Sequence, residues 1–303
     1  KPGRDTTYFN LRIFPYLINS IKNAACCRET EPDSPSPHIT EAVREKGEGS
    51  GKGKRSPPFP EISTHYKDFT MKPGKLYGVG IGPGDPRYLT LRAADVLRSV
   101  DVIFTVISQN ASSSVSRSVV ESLEPRGEIH LQIFSMSREK AVRAAQVQAN
   151  ADAIITELKA GRDCAFATLG DAMTYSTFGY VLEIIREAIP GVELEIVPGI
   201  TSFATLTAKA GTVLVENGEQ LRVIPSFKSE MAETLDFPKG STTILLKTYR
   251  SRKALVERLR REENVEILYG EHLAMEGQTL LTDLDAVADR PEEYLSLIMV
   301  KKQ

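Results

Sequence analysis

The stretch Gly78–Pro86, GVGIGPGDP, follows a strand-forming run from Lys75 and decides how the rest of the chain is read. Glycines at 78, 80, 82 and 84 make a tight strand-to-helix turn in which the backbone can approach a ligand closely. Its spacing excludes the two common phosphate loops. No G-x-G-x-x-G frame fits, because Asp85 falls where a third glycine would follow Gly80 and Gly82, and no G-x-x-x-x-G-K-[ST] is present. Such a turn belongs at the carboxyl end of a strand, where open α/β sheets bind ligands. Isolated glycines would suit a merely structural turn, whereas four closed by Asp85 and Pro86 point to a ligand.

Two later stretches repeat the design. Thr168–Phe178, TLGDAMTYSTF, leaves a strand through Gly170 and Asp171 and opens a helix; Asp171 is either an N-cap or an acceptor for a ribose diol or for backbone amides. Val197–Ser202, VPGITS, again joins strand, glycine turn and helix, with Thr201 and Ser202 as caps or as hydroxyl donors to a ligand. Three such turns in one sheet imply a cleft built from main chain.

Around these turns strand and helix signals alternate. Strands are predicted over 75–81, 102–106, 164–168 and 193–197, and helices over 90–100, 138–160, 174–189 and 201–210. Beyond Gly211 come strands over 221–224, 242–247, 265–269, 279–282 and 294–300, with a helix over 252–262 among them. Such alternation argues for an α/β fold of parallel sheets covered by helices, followed by a second, more mixed sheet. The boundary is placed near Gly211, giving an N-terminal α/β domain over 71–211 and a C-terminal α/β domain over 212–303.

The first seventy residues read differently. Clustered prolines and a Gly/Ser/Lys stretch between Glu29 and Pro60 predict disorder. A short helix is expected within Tyr8–Ile21, which lacks the features of a signal peptide. Met71 is the first methionine of the chain, and the expectation is that it is the native start, with a genuine disordered extension as the alternative.

Composition sets outer limits. With 41% hydrophobic and 26% charged residues the chain is ordinary for a soluble globular protein, and a net charge of -2 gives no support to nucleic-acid binding. No apolar run approaches the roughly 20 residues that span a bilayer. Cys26, Cys27 and Cys164 form no CxxC pair, so a disulfide framework is not expected and a reducing cytoplasm is the simpler setting.

G-x-G-P-G-D-P near the start, L-G-D after a later strand and V-P-G-I-T-S before the next helix, in that order, resemble the tetrapyrrole methylase family across residues 71–303. Within it, Tyr175–Phe178 and the stretch from Leu214 to Pro225 are similar to the branch that methylates carbon 20 of precorrin-2. The resemblance implies two α/β domains with S-adenosylmethionine folded into the cleft between them, a tetrapyrrole substrate, usually a homodimer, and no metal held by the protein itself. Carried over, it places Pro83, Gly170, Asp171, Thr174, Thr201, Ser202, Leu246, Leu273 and Ala274 around the cofactor, and Gly84, Asp85, Arg117, Tyr175 and Lys247 near the substrate. Two positions depart from the pattern: Ala172 replaces a proline common after Gly-Asp, and Val106 stands where relatives that methylate uroporphyrinogen carry an aspartate base. No catalytic base is therefore assigned, and His130 and His272 read as structural or surface histidines.

The substrate's carboxylates call for cationic partners, with Arg87, Arg117, Arg138, Lys228, Lys247 and Arg250 in or beside expected loops. For any one of them a solvated surface charge is the plainer reading. The polar stretch 109–117 either lines the cleft or is a simple loop. Two rivals remain at this point: the same fold acting on another substrate, and a non-catalytic module using its glycine turns as an anion nest.

Overall fold

The computed structural model describes residues 72–108, 113–135, 137, 139–225 and 229–303. The expectations for the first seventy residues and Met71, and those for Arg138 and Lys228, lie outside the described residues. The described residues belong to one compact unit, Met71–Gln303.

Its first sheet is entirely parallel, in the order β3-β2-β4-β1-β5. The strands are β1 (Leu76–Gly80), β2 (Val102–Ser108), β3 (Glu128–Phe134), β4 (Cys164–Thr168) and β5 (Leu194–Val197). Helices α1 (Leu91–Ser99), α2 (Val115–Glu121), α3 (Lys140–Lys159), α4 (Phe178–Ala188) and α5 (Ser202–Ala210) connect or follow them. Strand residues alternate between faces. Leu76, Phe104 and Phe166 pack with Ile154 and Leu158 of α3 and Val181 and Ile185 of α4. On the opposite face Val79, Ile103 and Ala165 meet Val96 and Leu97 of α1 and Val119 of α2. Free Cys164 lies in this core, where burial pushes its thiol up to about 12 and leaves it unreactive.

The second sheet is mixed, in the order β6-β7-β10-β8-β9. It comprises β6 (Gln220–Pro225), β7 (Ser241–Leu246), β8 (Val265–Glu271), β9 (Thr279–Leu281) and β10 (Ser296–Lys302), with α6 (Arg252–Leu259) and α7 (Leu284–Ala288). Strand β6 runs parallel to β7, and β10 runs antiparallel to both β7 and β8. Hence β6, β7 and β8 all point the same way.

Three local differences from the sequence reading have physical causes. The helix expected from Thr174 begins only at Phe178, because Tyr175 adopts φ 51° and Asp171 closes a turn ahead of it. Part of the polar stretch is helix α2, capped by the Ser114 hydroxyl, which accepts from Arg117 N at 3.1 Å. The edge strand β3 and the five-residue α7 carried no signal that was read. Thr90 caps α1, Thr201 caps α5, and Gly211 closes α5 in the left-handed region at φ 67°.

Candidate active site: two strand edges that face each other

The carboxyl ends of β1, β4 and β5 carry the three glycine turns, and these turns touch through bare backbone. A Cβ placed on Gly199 would lie 2.1 Å from the Gly170 carbonyl oxygen and 2.7 Å from the Gly80 carbonyl carbon. One on Gly80 would lie 2.6 Å from Gly199 N and 2.8 Å from Gly170 O. Gly82 and Gly170 also exchange backbone hydrogen bonds of 3.2 and 2.7 Å. Glycine is required here because the main chains occupy the space a side chain would take. Gly170, at φ 72°, differs in that the space beside its Cα is open.

Asp171 ties the second turn to the third. Its carboxylate accepts from Met173 N (3.0 Å), the Thr174 hydroxyl (2.9 Å) and Gly199 N (3.0 Å). Burial pushes this carboxyl upward, but the hydrogen bonds from Gly199, Met173 and Thr174 together outweigh it and hold it below the usual range. It is a cap of its own turn and not of α4, whose N-cap is Thr177. Beside it Ala172, which departs from the proline the resemblance leads one to expect, is fully buried and packed into the core.

In the first turn Pro83 is buried and Gly84, at φ 136°, lies against Met275, where a Cβ would come 2.6 Å from Met275 Cγ. Asp85 accepts from Arg87 N at 2.9 Å and holds the Arg87 guanidinium at 2.6 Å, and that guanidinium keeps its carboxyl low. Arg87 is thereby spent locally.

The opposing wall is the carboxyl edge of the second sheet. It gathers Leu246 at the end of β7, Lys247 after it, and His272, Leu273 and Ala274 after β8. Lys247, His272 and Ala274 all hold positive φ, at 55°, 45° and 57°. Ala274 N donates to Gln278 Oε1 at 2.9 Å, Lys247 N to Ser296 O at 3.1 Å, and His272 N to Leu295 O at 3.1 Å. His272 Nε2 pairs with Glu293 at 3.0 Å, while His130 pairs with Glu128 and packs edge-on against Phe104. Both histidines are structurally engaged.

Three contacts bring the edges together. Met275 covers Gly84, the Tyr175 hydroxyl donates to Val223 O of β6 at 2.9 Å, and Leu206 of α5 packs with Leu273, Ile244 and Leu297. Thr201 and Ser202 sit at the start of that helix. Arg117 lies exposed on α2 and pairs with Glu121 at 2.7 Å. Met275 and the Glu293 tie were missed, since neither carries a motif.

The arrangement fits an extended cofactor held by main chain. Open space beside Gly170 adjoins three backbone-walled turns, and the second edge adds Leu246, Leu273 and Ala274. Among the described residues no group of three or more His, Cys, Asp or Glu side chains is placed to hold a metal, and no helix is long and apolar enough to cross a membrane.

Residues 75–288 match the family described as Tetrapyrrole (Corrin/Porphyrin) Methylases. The chain is 33% identical over 234 residues to the cobalt-precorrin-2 C(20)-methyltransferase of Salmonella typhimurium, covering 76% of this chain and 97% of that protein. A probable cobalt-precorrin-2 C(20)-methyltransferase of Methanocaldococcus jannaschii is 32% identical over 229 residues, covering 75% and 96%. Among solved structures, the uroporphyrin-III C-methyltransferase of Thermus thermophilus complexed with S-adenyl homocysteine shares the fold, with a TM-score of 0.53 and 21% identity over 75% of this chain and 92% of that one. With its glycine turns in place and a family match spanning both sheets, this chain belongs to the tetrapyrrole (corrin/porphyrin) methylases.

Proposed function

We propose that this methyltransferase moves a methyl group from S-adenosylmethionine to carbon 20 of precorrin-2, or of its cobalt complex, in cobalamin biosynthesis. The observation that carries this reading is the match to two relatives named for that reaction, at 33% and 32% identity and along nearly their whole length.

S-adenosylmethionine, when bound, supplies an electrophilic methyl group on a sulfonium. Pro83, Gly170, Thr174, Thr201, Ser202, Leu246, Leu273 and Ala274 are proposed to hold it, with Asp171 acting by fixing the Gly170 turn against Gly199. Gly84, Asp85, Tyr175 and Lys247 face the tetrapyrrole. A meso carbon of a reduced tetrapyrrole is enamine-like, so the chain's main task is to align the partners and exclude water. Val106 supports that division of labour, because an apolar side chain cannot take a proton. Its backbone is tied to α2, Val106 N donating to the Ser116 hydroxyl at 3.0 Å and Val106 O accepting from the Ser114 hydroxyl at 2.7 Å. The reading extends to a domain boundary near Gly211, a homodimer and a cytoplasmic location, for which the family resemblance is the support.

The test is incubation with S-adenosylmethionine and precorrin-2, with and without cobalt, read by mass and by the position of the new methyl. Gain of one methyl at carbon 20 is expected; methylation elsewhere would redirect the reading within the family. Calorimetry with S-adenosylhomocysteine, NAD and ATP removes the anion-nest alternative if only the first binds.

A further inference from the structure

Beyond β7 the chain makes a short turn, Thr248–Arg250, that places two aromatic rings and two cations side by side. The Tyr249 and Tyr294 rings meet edge to face with centroids 5.5 Å apart. Lys247 Nζ lies 5.6 Å from the Tyr294 centroid, and Arg250 Cζ lies 5.2 Å from that of Tyr249. Each cation is thus held over a ring face, an attraction of about 0.5–1 kcal/mol where solvent reaches it.

What the two cations lack is as informative. Nearby arginines are spent: Arg252 on the backbone oxygens of Arg290 and Pro291, Arg290 on Glu271 at 2.6 Å, and Arg222 on Asp236 at 2.9 Å. Among the described residues neither Lys247 nor Arg250 has a carboxylate partner. Their supports are nonetheless firm. Lys247 N is bound to Ser296 O, Thr248 is buried beside Ser296, and the Ser229 hydroxyl holds Arg250 O at 3.2 Å. Holding Lys247 at φ 55° costs about 1–2 kcal/mol, a strain typical of functional positions. An aromatic shelf carrying two unneutralised cations on a fixed turn suits an anion that arrives from outside.

We propose that Lys247 and Arg250, carried on Tyr249 and Tyr294, form the subsite for carboxylate side chains of a polycarboxylate macrocycle. The proposal rests on the tetrapyrrole reading of the cleft and assigns Arg250, Tyr249 and Tyr294 roles that reading left open. Recognition here is by charge held over aromatic rings, whereas the first edge recognises by backbone.

The probe is uroporphyrin I, an octacarboxylate macrocycle whose fluorescence reports binding without turnover. Lys247→Gln and Arg250→Gln should each weaken its binding about tenfold, and the double variant more. The affinity should depend less steeply on salt in these variants. Lys247→Arg and Arg250→Lys, which keep the charge, should restore most of the affinity and also control for folding. S-adenosylhomocysteine affinity by calorimetry should change less than about twofold. Unchanged uroporphyrin binding in the double variant overturns the subsite, as does an equal loss for both ligands. The two readings fail separately. A parent protein that binds uroporphyrin through these charges but does not methylate precorrin-2 keeps the subsite and loses the carbon-20 assignment. A double variant that methylates precorrin-2 with an unchanged KM does the reverse.

Discussion

The two edges of the cleft are built by opposite means. On the first, Gly80, Gly170 and Gly199 bring three main chains into contact by having no side chains. On the second, Lys247, His272 and Ala274 keep their side chains and hold left-handed backbone that L-residues disfavour, with Ser296 O, Leu295 O and Gln278 Oε1 as ties. One wall is made by subtraction and the other by restraint. The first should therefore tolerate no added atom, and the second should depend on the polar groups that brace it.

Gly199→Ala is the harshest test of the first wall. The new methyl would sit 2.1 Å from a carbonyl oxygen with backbone on both sides, leaving nothing flexible to yield. A loss of about 3 kcal/mol or more is expected, lowering the melting temperature by roughly 6–12 °C and abolishing binding of S-adenosylhomocysteine. Gly179→Ala, in α4 with open space around it, should be neutral or slightly stabilising. Equal effects from the two would show that the turns do not touch as described.

The second wall breaks at Glu271, the last residue of β8. Its carboxylate is fully buried, accepts the Tyr269 hydroxyl, and holds the half-exposed Arg290 at 2.6 and 2.9 Å. Burial and the neighbouring Glu271 carboxylate push the Tyr269 hydroxyl well above the ordinary tyrosine range, which keeps it a donor. Glu271→Gln should cost about 2–3 kcal/mol, discounted because Arg290 reaches solvent. Because His272–Ala274 follow directly, cofactor affinity should fall with stability. A melting-temperature drop with unchanged calorimetric affinity would mean that the strained turn is braced from elsewhere.

Asp171→Asn gives a smaller effect with a pH signature. Asparagine can still accept from Met173 or Thr174, but its amide cannot accept from Gly199 N, so about 1–2 kcal/mol should be lost at neutral pH. The folded carboxyl lies below its ordinary 3.8, so the unfolded chain takes up the proton first as pH falls. This contribution is complete above the unfolded value and disappears as pH falls through the folded one. Parent and variant stability, followed by urea unfolding, should converge below about pH 4. Curves that stay parallel as pH falls well below 3.8, through the folded value, would show that Asp171 contributes nothing as a carboxylate.

The same contrast explains what could be read without coordinates. Glycine turns at strand ends and the cap at Thr201 are signals written in residue type. With the alternation of strand and helix signals, they led to four of the first sheet's five strands and four of the five helices around it. Nothing in the letters of Lys247, His272 or Ala274 announces a positive φ, which is imposed by tertiary partners such as Ser296 and Leu295, far along the chain. Met275 on Gly84 and Tyr175 on Val223 O are likewise long-range facts. For Asp171, acceptance from backbone amides was among the alternatives, but its partner Gly199, 28 residues away, was not legible. Edge strand β3 was missed because Leu131 and Ile133 are exposed beside the buried polar Gln132, which reverses the usual alternation.

The gentlest probe falls where the first edge is made of side chains after all. Val106 lies half-buried on β2, opposite Gln132 of β3, at the edge of the core shared with α3 and α4. Val106→Ala removes two methyl groups from a partly exposed site, so about 1 kcal/mol is expected, with rate affected only through packing. Val106→Asp should be worse on both counts, since a carboxylate there is desolvated and would face the carboxylates of the substrate. Single-turnover methyl transfer at saturating cofactor, across about pH 6 to 9, is the measurement. If alignment limits the reaction, the Asp variant gains nothing at any pH, and both variants keep the parent's pH profile. An Asp variant faster than the parent, with a new rise on a carboxylate or shifted carboxylate pKa, would show that proton removal limits turnover. Val106 would then mark a base the chain can use but does not carry, and the first wall would contribute chemistry as well as shape.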